Sequence, residues 1–389
     1  MDHDVVVVGG GPAGLALARS LAGSGLSVAV VERQPLAQLA DPDSDGREIA
    51  LTHRSVGVLQ ALGAWAHLDA ADIAPLRAAR VLNGGSPFAL SIDPGGAPGD
   101  PLGQLVPNHR IRRALFRAAE RQPGLALLAG TTVTAVRTDR ARATVILADG
   151  RMLRTRLLVA ADSRLSAVRE RLGIAAEINR LGRSMMVCRV THPRDHRGIA
   201  TEWFDHGQTI AMLPLNGRLS SAVLTLPSAE IDRLSALDAE ALGQEITRRF
   251  GARLGPMRIV EPPHVYPLVT TYARHFAATR AALVGDAAVG MHPVTAHGFN
   301  LGLQGQATLA TLIREAAARG RDIASPLLLR RYEAAHRLAS RPLYAATNLL
   351  VRLYTDERPG ARLARQATLI AGARLPLVRS TVSRLLMQR

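Results

Sequence analysis

The chain has 389 residues, 47% of them hydrophobic and 21% charged, and a mean hydropathy of +0.08, a balance that suits two ordered lobes sharing a core. Its single cysteine, Cys188, excludes an internal disulfide and a Cys-x-x-Cys metal site and points to the cytoplasm. The formal charge of +16 rests on arginine alone; with 3% aromatic residues and no basic run interleaved with stacking rings, nucleic acid is not an expected partner.

No run of about 18 uncharged apolar residues occurs, so no membrane-spanning helix is expected. Residues 1–10 enter a strand at once, without a basic region or cleavage site, and no secretory signal is predicted. The first element is the apolar, β-branched run Asp4–Val8. It is followed by Gly9-Gly10-Gly11-Pro12-Ala13-Gly14 and a helical stretch. This strand, glycine turn and helix predict a dinucleotide site. Gly9 permits a tight turn, Gly11 lets backbone approach a pyrophosphate, and Gly14 lets the helix pack closely on the sheet. The second strand, Leu26–Val31, ends at Glu32, placed to accept hydrogen bonds from a ribose hydroxyl pair, with Arg33 beside it. No second glycine motif of this kind follows, so a separate nicotinamide domain is not expected.

Further along, residues 45–65 carry Arg47 after the second strand, and residues 84–103 read as a Gly/Pro-rich loop or crossover between lobes. In residues 106–119, Asn108 opens a helix, as a helix cap or as a cofactor contact. Residues 157–174 form a strand, a turn with Asp162, and a helix with Ser166 and Arg169. Between Arg180 and Pro267 the pattern changes to short alternating strands, the mark of an antiparallel sheet with one buried face. Residues 280–302 are the most informative. Ala282-Leu283-Val284 ends in Gly285-Asp286, a Pro-containing loop follows, and Gly298-Phe299-Asn300 opens an apolar helix. That layout suits a loop and helix start facing an electron-rich cofactor, and with Gly9–Gly14 it indicates a flavin enzyme.

These segments, in this order, resemble the single-component FAD aromatic hydroxylases of the para-hydroxybenzoate hydroxylase type, and among them the ubiquinone-biosynthesis hydroxylases. The resemblance runs over nearly the whole chain. It implies an α/β fold: a Rossmann-like FAD-binding domain in residues 1–75, 104–178 and 268–324, interleaved with a smaller antiparallel-sheet substrate domain (crossover 76–103, sheet 179–267), plus a helical C-terminal segment, 325–389. It implies that Arg47 reaches the FAD pyrophosphate, that Asn108 and Asp162 contact the cofactor, and that Asp286 binds the ribityl chain. His292-Pro293 would pack on the isoalloxazine, Gly298-Phe299-Asn300 would lie near its pyrimidine edge, and His292 and His297 are candidates for proton traffic. Trp203, Phe204 and Pro214 are candidates for the substrate pocket, the two aromatics being open also to an ordinary core role. The chain departs from the family's pattern at Ala160 and Ser163 (Gly there), Val289 (His), Thr295-Ala296-His297 (Ala/Gly-Gly-Gln) and Gly305 (Asp).

The implied activity is ring hydroxylation of a polyprenylated ubiquinone precursor through a flavin hydroperoxide, with NAD(P)H as a transient reductant and O2 as the oxidant. Three alternatives stay open: a soluble phenol or polyketide hydroxylase, a non-oxygenating flavin reductase of prenyl lipids, and a non-catalytic flavin-binding accessory protein. No metal constellation stands out. After Glu357 the chain has no acidic residue but carries Arg358, Arg362, Arg365, Arg374, Arg379, Arg384 and Arg389, and Leu375, Val378, Val382, Leu385 and Leu386 share one helical side. This tail either docks on the FAD domain or contacts anionic lipid, which would put the protein on the inner membrane face and within reach of a ubiquinone-biosynthesis complex.

Overall fold

A computed structural model describes residues 1–86, 89–93, 100–205, 207–293 and 297–355. The run His3–Val8 has no polar alternation because both of its faces are covered, and Val5, Val6 and Val7 are fully buried. It lies inside a parallel array ordered Ala281–Leu283, Met152–Ala160, His3–Val8, Val28–Glu32 and Leu125–Ala129. Ala277–Ala278 adds an antiparallel edge, and the hairpin Val133–Thr138/Ala143–Leu147 pairs antiparallel with Met152–Ala160. The helices Pro12–Ser20 and Gly298–Ala318 pack together over this sheet.

The second sheet has the order Val289–Gly290, His264–Ala273, Ala176–Thr191, Leu219–Pro227, Gln208–Pro214, Ile199–Asp205, Ala78–Asn83 and Leu90–Ile92, with Arg258–Ile259 paired to Ala176–Thr191. Its pairs are antiparallel except Ile199–Asp205 with Ala78–Asn83. The crossover expected in residues 84–103 thus carries a strand of this sheet, Leu90–Ile92. Period-two alternation divides the sheet's side chains. Met186, Cys188, Ile210, Met212 and Leu224 face the helices Ser228–Ser235 and Ala239–Arg249 and bury their core. A small sheet, Glu48–Leu51, Gly103–Pro107 and Ala74–Leu76, sits beside the two larger ones.

The helix Pro326–Thr355 closes the described chain and packs on Gly298–Ala318. At their contact a Cβ on Gly305 would stand 2.7 Å from the ring of His336, so the glycine found where relatives of the resembled family have Asp makes room for that imidazole. No described helix is long and apolar enough to cross a membrane. The Arg-rich tail, Arg358 to Arg389 with its apolar side from Leu375 to Leu386, lies outside the described residues.

Candidate active site at the strand ends

Four segments meet at the carboxyl edge of the parallel sheet: Gly9–Gly14, Glu32, Ala161-Asp162 and Gly285-Asp286 each follow or end a strand of it. The ladder continues past the strands, with the N–H groups of Gly9, Ala161 and Val284 donating to the carbonyls of Val31, Val8 and Ala160 at 2.8, 2.8 and 2.9 Å. The glycine turn has no space for side chains. Gly9 has φ +112° and a Cβ there would fall 2.3 Å from the Ala161 carbonyl oxygen, while one on Gly14 would fall 1.9 Å from that of Gly9. Around Gly11 the opposite holds: nothing lies within 4 Å of where a Cβ would be. Pro12 starts the helix Pro12–Ser20, whose first turn has no side-chain cap. An uncapped helix start beside an open glycine suits an anion such as a pyrophosphate. Ala13 closes against Gly285 (φ +61°), whose Cβ would stand 2.9 Å from the alanine methyl. Glu32 is held by N–H groups of Gly10 and Gln34 at 2.6 and 2.9 Å, and Arg33 is exposed beside it.

Charged side chains bracket this edge. Arg47 donates to Asp45 Oδ2 through Nε and a terminal nitrogen (3.1 and 2.6 Å), and the Asn108 amide donates to the same oxygen at 2.7 Å. Burial works to raise the Asp45 carboxyl, but the Arg47 charge and these hydrogen bonds outweigh it and hold its pKa below the usual value. Asn108 makes no side-chain cap at the helix Asn108–Ala119; its amide serves Asp45 instead. Asp162 accepts from the Ser166 hydroxyl (2.6 Å) and the Val168 N–H (3.3 Å), fixing the start of the helix Ala167–Arg171. Arg169 is 1% exposed and donates to the carbonyls of Arg164 and Ala287 (2.9 and 3.1 Å), tying the Asp162 loop to the Asp286 loop. Arg164 in turn pairs with Asp286 at 3.1 Å. Ala160 and Ser163, glycines in the resembled family, need none here, since neither has a positive φ.

Beyond Asp286 the chain is drawn into the core. Val289 is 3% exposed in a strand paired with Tyr272, so a polar side chain there would be buried among hydrocarbons. His292 and His297 are 5% and 3% exposed, whereas Pro293 is exposed; Thr295 and Ala296 lie outside the described residues. Burial, with the charges of Arg164 and Arg183 nearby, takes His292 down to about 4, so at neutral pH it is an uncharged imidazole. Gly298 begins the helix Gly298–Ala318, with Phe299 packed against the Leu15, Val106 and Ile111 cluster. Asn300 accepts from the Thr52 N–H (3.2 Å) and donates to the Ala50 carbonyl (2.8 Å), pinning the helix start to the small sheet.

The inner face of the antiparallel sheet meets the same region. Register sets Glu202, Ala211, Val223, Val187 and His264 in one row across five strands, and Phe204, Thr209, Thr225, Met185 and Tyr266 in the next. Tyr266 donates to the Asp45 carbonyl (2.6 Å), the His264 ring lies 2.7 Å from a Cβ position on Gly46, and Arg189 donates to Glu48 (2.7 Å). This face therefore abuts the segment that carries Arg47. Of the three residues expected to line a pocket, Phe204 is buried on the inner face. Trp203 is turned away by strand alternation: it packs on Phe250 (ring centroids 6.3 Å apart), lies under Arg253 at 4.6 Å and donates to the Gly84 carbonyl at 3.1 Å. Pro214 shares the strand side of Ile210 and Met212, which lie in the helix-covered core. The inner row instead contains Glu202, which no local sequence pattern singles out.

Residues 2–346 match the protein family described as FAD binding domain. The chain belongs to this family. It is 44% identical over 388 residues to a ubiquinone hydroxylase of Neisseria meningitidis, covering 99% of this chain and 84% of that protein. It is 39% identical over 377 residues to a ubiquinone hydroxylase of Rhodospirillum rubrum, covering 97% and 87%. The p-nitrophenol 4-monooxygenase of Pseudomonas putida DLL-E4 shares its fold, with a TM-score of 0.79 at 19% identity and 99% and 98% of the two chains covered.

As a FAD-dependent monooxygenase, the protein has residues that fit its cofactor. Gly9 and Gly14 pack on backbone too closely for a Cβ, which fixes the turn, while the space before Gly11 is open and the adjacent helix start lacks a protein cap.

Proposed function

We propose that the protein hydroxylates the aromatic ring of a polyprenylated ubiquinone precursor, with NAD(P)H as reductant and O2 as oxidant. The observation that carries this reading is the 44% identity, over 99% of the chain, to a ubiquinone hydroxylase. When bound, FAD supplies the activation of O2 for transfer to the ring. The chain's own residues bind and orient. Gly9, Gly11, Pro12, Ala13 and Gly14 offer backbone to the pyrophosphate, Glu32 accepts from ribose hydroxyls, and Arg33 stands beside it. Arg47, fixed by Asp45 and Asn108, presents its remaining donors to phosphate oxygens. Asp162 shapes its loop, and Asp286, paired on one oxygen with Arg164, accepts from the ribityl chain with the other.

His292, Pro293, Gly298, Phe299 and Asn300 form the ring end, where the start of the helix Gly298–Ala318 favours negative charge on a reduced ring system. His292, neutral and buried, acts there as a hydrogen-bonding group that can pass a proton without holding charge, and His297, buried at the helix start, stands close to it in the chain as a second proton-carrying candidate. Ala211, Val223, Val187 and Phe204 on the inner face of the antiparallel sheet exclude water from the substrate ring.

Peripheral contact with anionic lipid would bring such a substrate to the site. Leu327, Leu338 and Leu349 are 64%, 79% and 69% exposed and recur every eleventh residue, which puts them on one side of the helix Pro326–Thr355. With the Arg-rich tail that follows, this stripe supports a lipid-facing surface. Quinone profiling of a strain lacking the gene tests the function. Accumulation of an under-hydroxylated prenyl phenol, cleared by the restored gene, is expected; an unchanged quinone profile would remove the reading.

A further inference from the structure

Glu202 is the acid the expected chemistry leaves unused. It sits in the strand Ile199–Asp205, opposite Ala211 on one side and Val81 on the other, on the face that meets the Asp45–Glu48 segment. Its row continues through Val223 and Val187, and Phe204 stands beside it on the same strand side. No hydrogen bond or ion pair holds its carboxyl among the described residues, and the residue is half-buried, so the carboxyl stays within reach of a ligand. The other ionisable groups of this face are Arg183, which donates to the Gly207 carbonyl just past Glu202's strand (2.6 Å), and His264, Tyr266 and Arg189 on strands further along the sheet; Asp45, Arg47 and Glu48 face them from the small sheet's side. Arg189 is already engaged by Glu48 and Glu261. A half-buried carboxyl set beside Ala, Val and Phe without a partner is costly to ionise unless a ligand donates to it.

We propose that Glu202 accepts the proton of the substrate's phenolic hydroxyl. This rests on the phenol-hydroxylase reading and names the group that would recognise the phenol. A carboxylate whose nearest strand neighbours are Ala211, Val81 and Phe204 matches a ligand whose one donor sits on an apolar body. In the overall reaction, phenol, O2, NAD(P)H and a proton give dihydroxybenzene, NAD(P)+ and water. One oxygen atom enters the ring, the other leaves as water, and the nicotinamide loses two electrons. Within it, the phenolic O–H breaks as the ring gives its electrons to the incoming oxygen, and the Glu202 carboxylate takes that proton. When the oxygenated carbon loses its own hydrogen as H+ and the ring becomes aromatic again, Glu202 returns a proton to the first oxygen. Burial raises the Glu202 carboxyl to about 8, bringing its basicity closer to that of a phenolate.

The test uses the FAD-loaded full chain with a diprenyl phenol and its O-methyl ether, which lacks the donor. Wild type is expected to bind the phenol about tenfold tighter than the ether. Its hydroxylation rate at saturating phenol should rise with pH around a midpoint near 8. Glu202→Gln keeps shape and FAD content; it should leave KM for the phenol within a few fold, lower kcat about 100-fold and abolish the pH limb. Glu202→Ala should lose the preference for phenol over ether. A Glu202→Gln enzyme with wild-type kcat and the same pH limb, or a wild type that binds phenol and ether equally, would overturn the proposal. If wild type prefers the phenol through Glu202 yet never hydroxylates it, the hydroxylase reading fails while the recognition by Glu202 stands.

Discussion

The carboxyl edge of the parallel sheet is made of backbone, whereas the inner face of the antiparallel sheet is made of side chains. At the first, the shape of the site follows from what is missing: no Cβ fits at Gly9 or Gly14, and nothing fills the space before Gly11. At the second, the surface follows from register, which sets Glu202 and Phe204 inward and sends Trp203 outward to Phe250. A backbone site tolerates few residue types, because backbone contacts leave no room for a side chain. A side-chain wall can change at any inward position without disturbing the ladder, and in the proposed function it is the part that would set which ring is accepted.

The largest expected effect separates two kinds of glycine within the backbone site. Gly14→Val places atoms 1.9 Å from the Gly9 carbonyl oxygen, so the purified protein should show neither flavin absorbance nor a cooperative melt. Gly11→Val meets only open space in the protein; it should melt like wild type yet bind no FAD. Equal FAD content in the Gly11 variant and wild type would remove the pyrophosphate from that place.

A second effect contrasts buried acid and buried base. Burial raises Glu202 from an ordinary 4.5 to about 8, so the stability it contributes is complete below pH 4.5 and lost as pH climbs through about 8. Burial lowers His292 and His336 from 6.5 to about 4, so their contribution is complete above pH 6.5 and lost as pH falls through about 4. Melting scans should therefore show Glu202→Gln flattening the alkaline slope and His336→Phe flattening the acid slope. A variant that flattens the other limb would contradict the burial assigned to its residue.

Smaller still is Gly305→Ala, whose methyl would meet the His336 ring at 2.7 Å; about 1–3 kcal/mol of lost stability is expected in urea unfolding, with FAD content retained. The least severe change is truncation after Glu357, which should weaken flotation with anionic liposomes while leaving turnover of a short-tailed phenol intact. Equal flotation would deny the tail a lipid role.

The two surfaces also differ in how far they can be read from sequence. The turn from Gly9 to Gly14, Glu32 and the Gly285-Asp286 segment are legible because backbone sites demand particular residues at fixed spacing. The two-sheet α/β architecture is legible for a related reason: an unbroken apolar run marks a strand buried on both faces, and alternation marks one half covered. The inner wall is not. Trp203 is open to a pocket or a core role and nothing singles out Glu202, because a strand's pattern shows which residues share a face but not which face meets the site. Asn108 shows a similar limit: its position suggests a helix cap, while its amide serves Asp45, 63 residues earlier in the chain. Gly305 and His336 explain one another only once their helices are seen to touch.

The most direct measurement supplies the FAD-loaded protein with NAD(P)H, a diprenyl phenol and isotopically labelled oxygen gas, and weighs the product by mass spectrometry. One labelled oxygen atom in each product ring, with none when the label is in water, is the expected result. Unlabelled or hydrogenated phenol, formed equally well without oxygen, would contradict it.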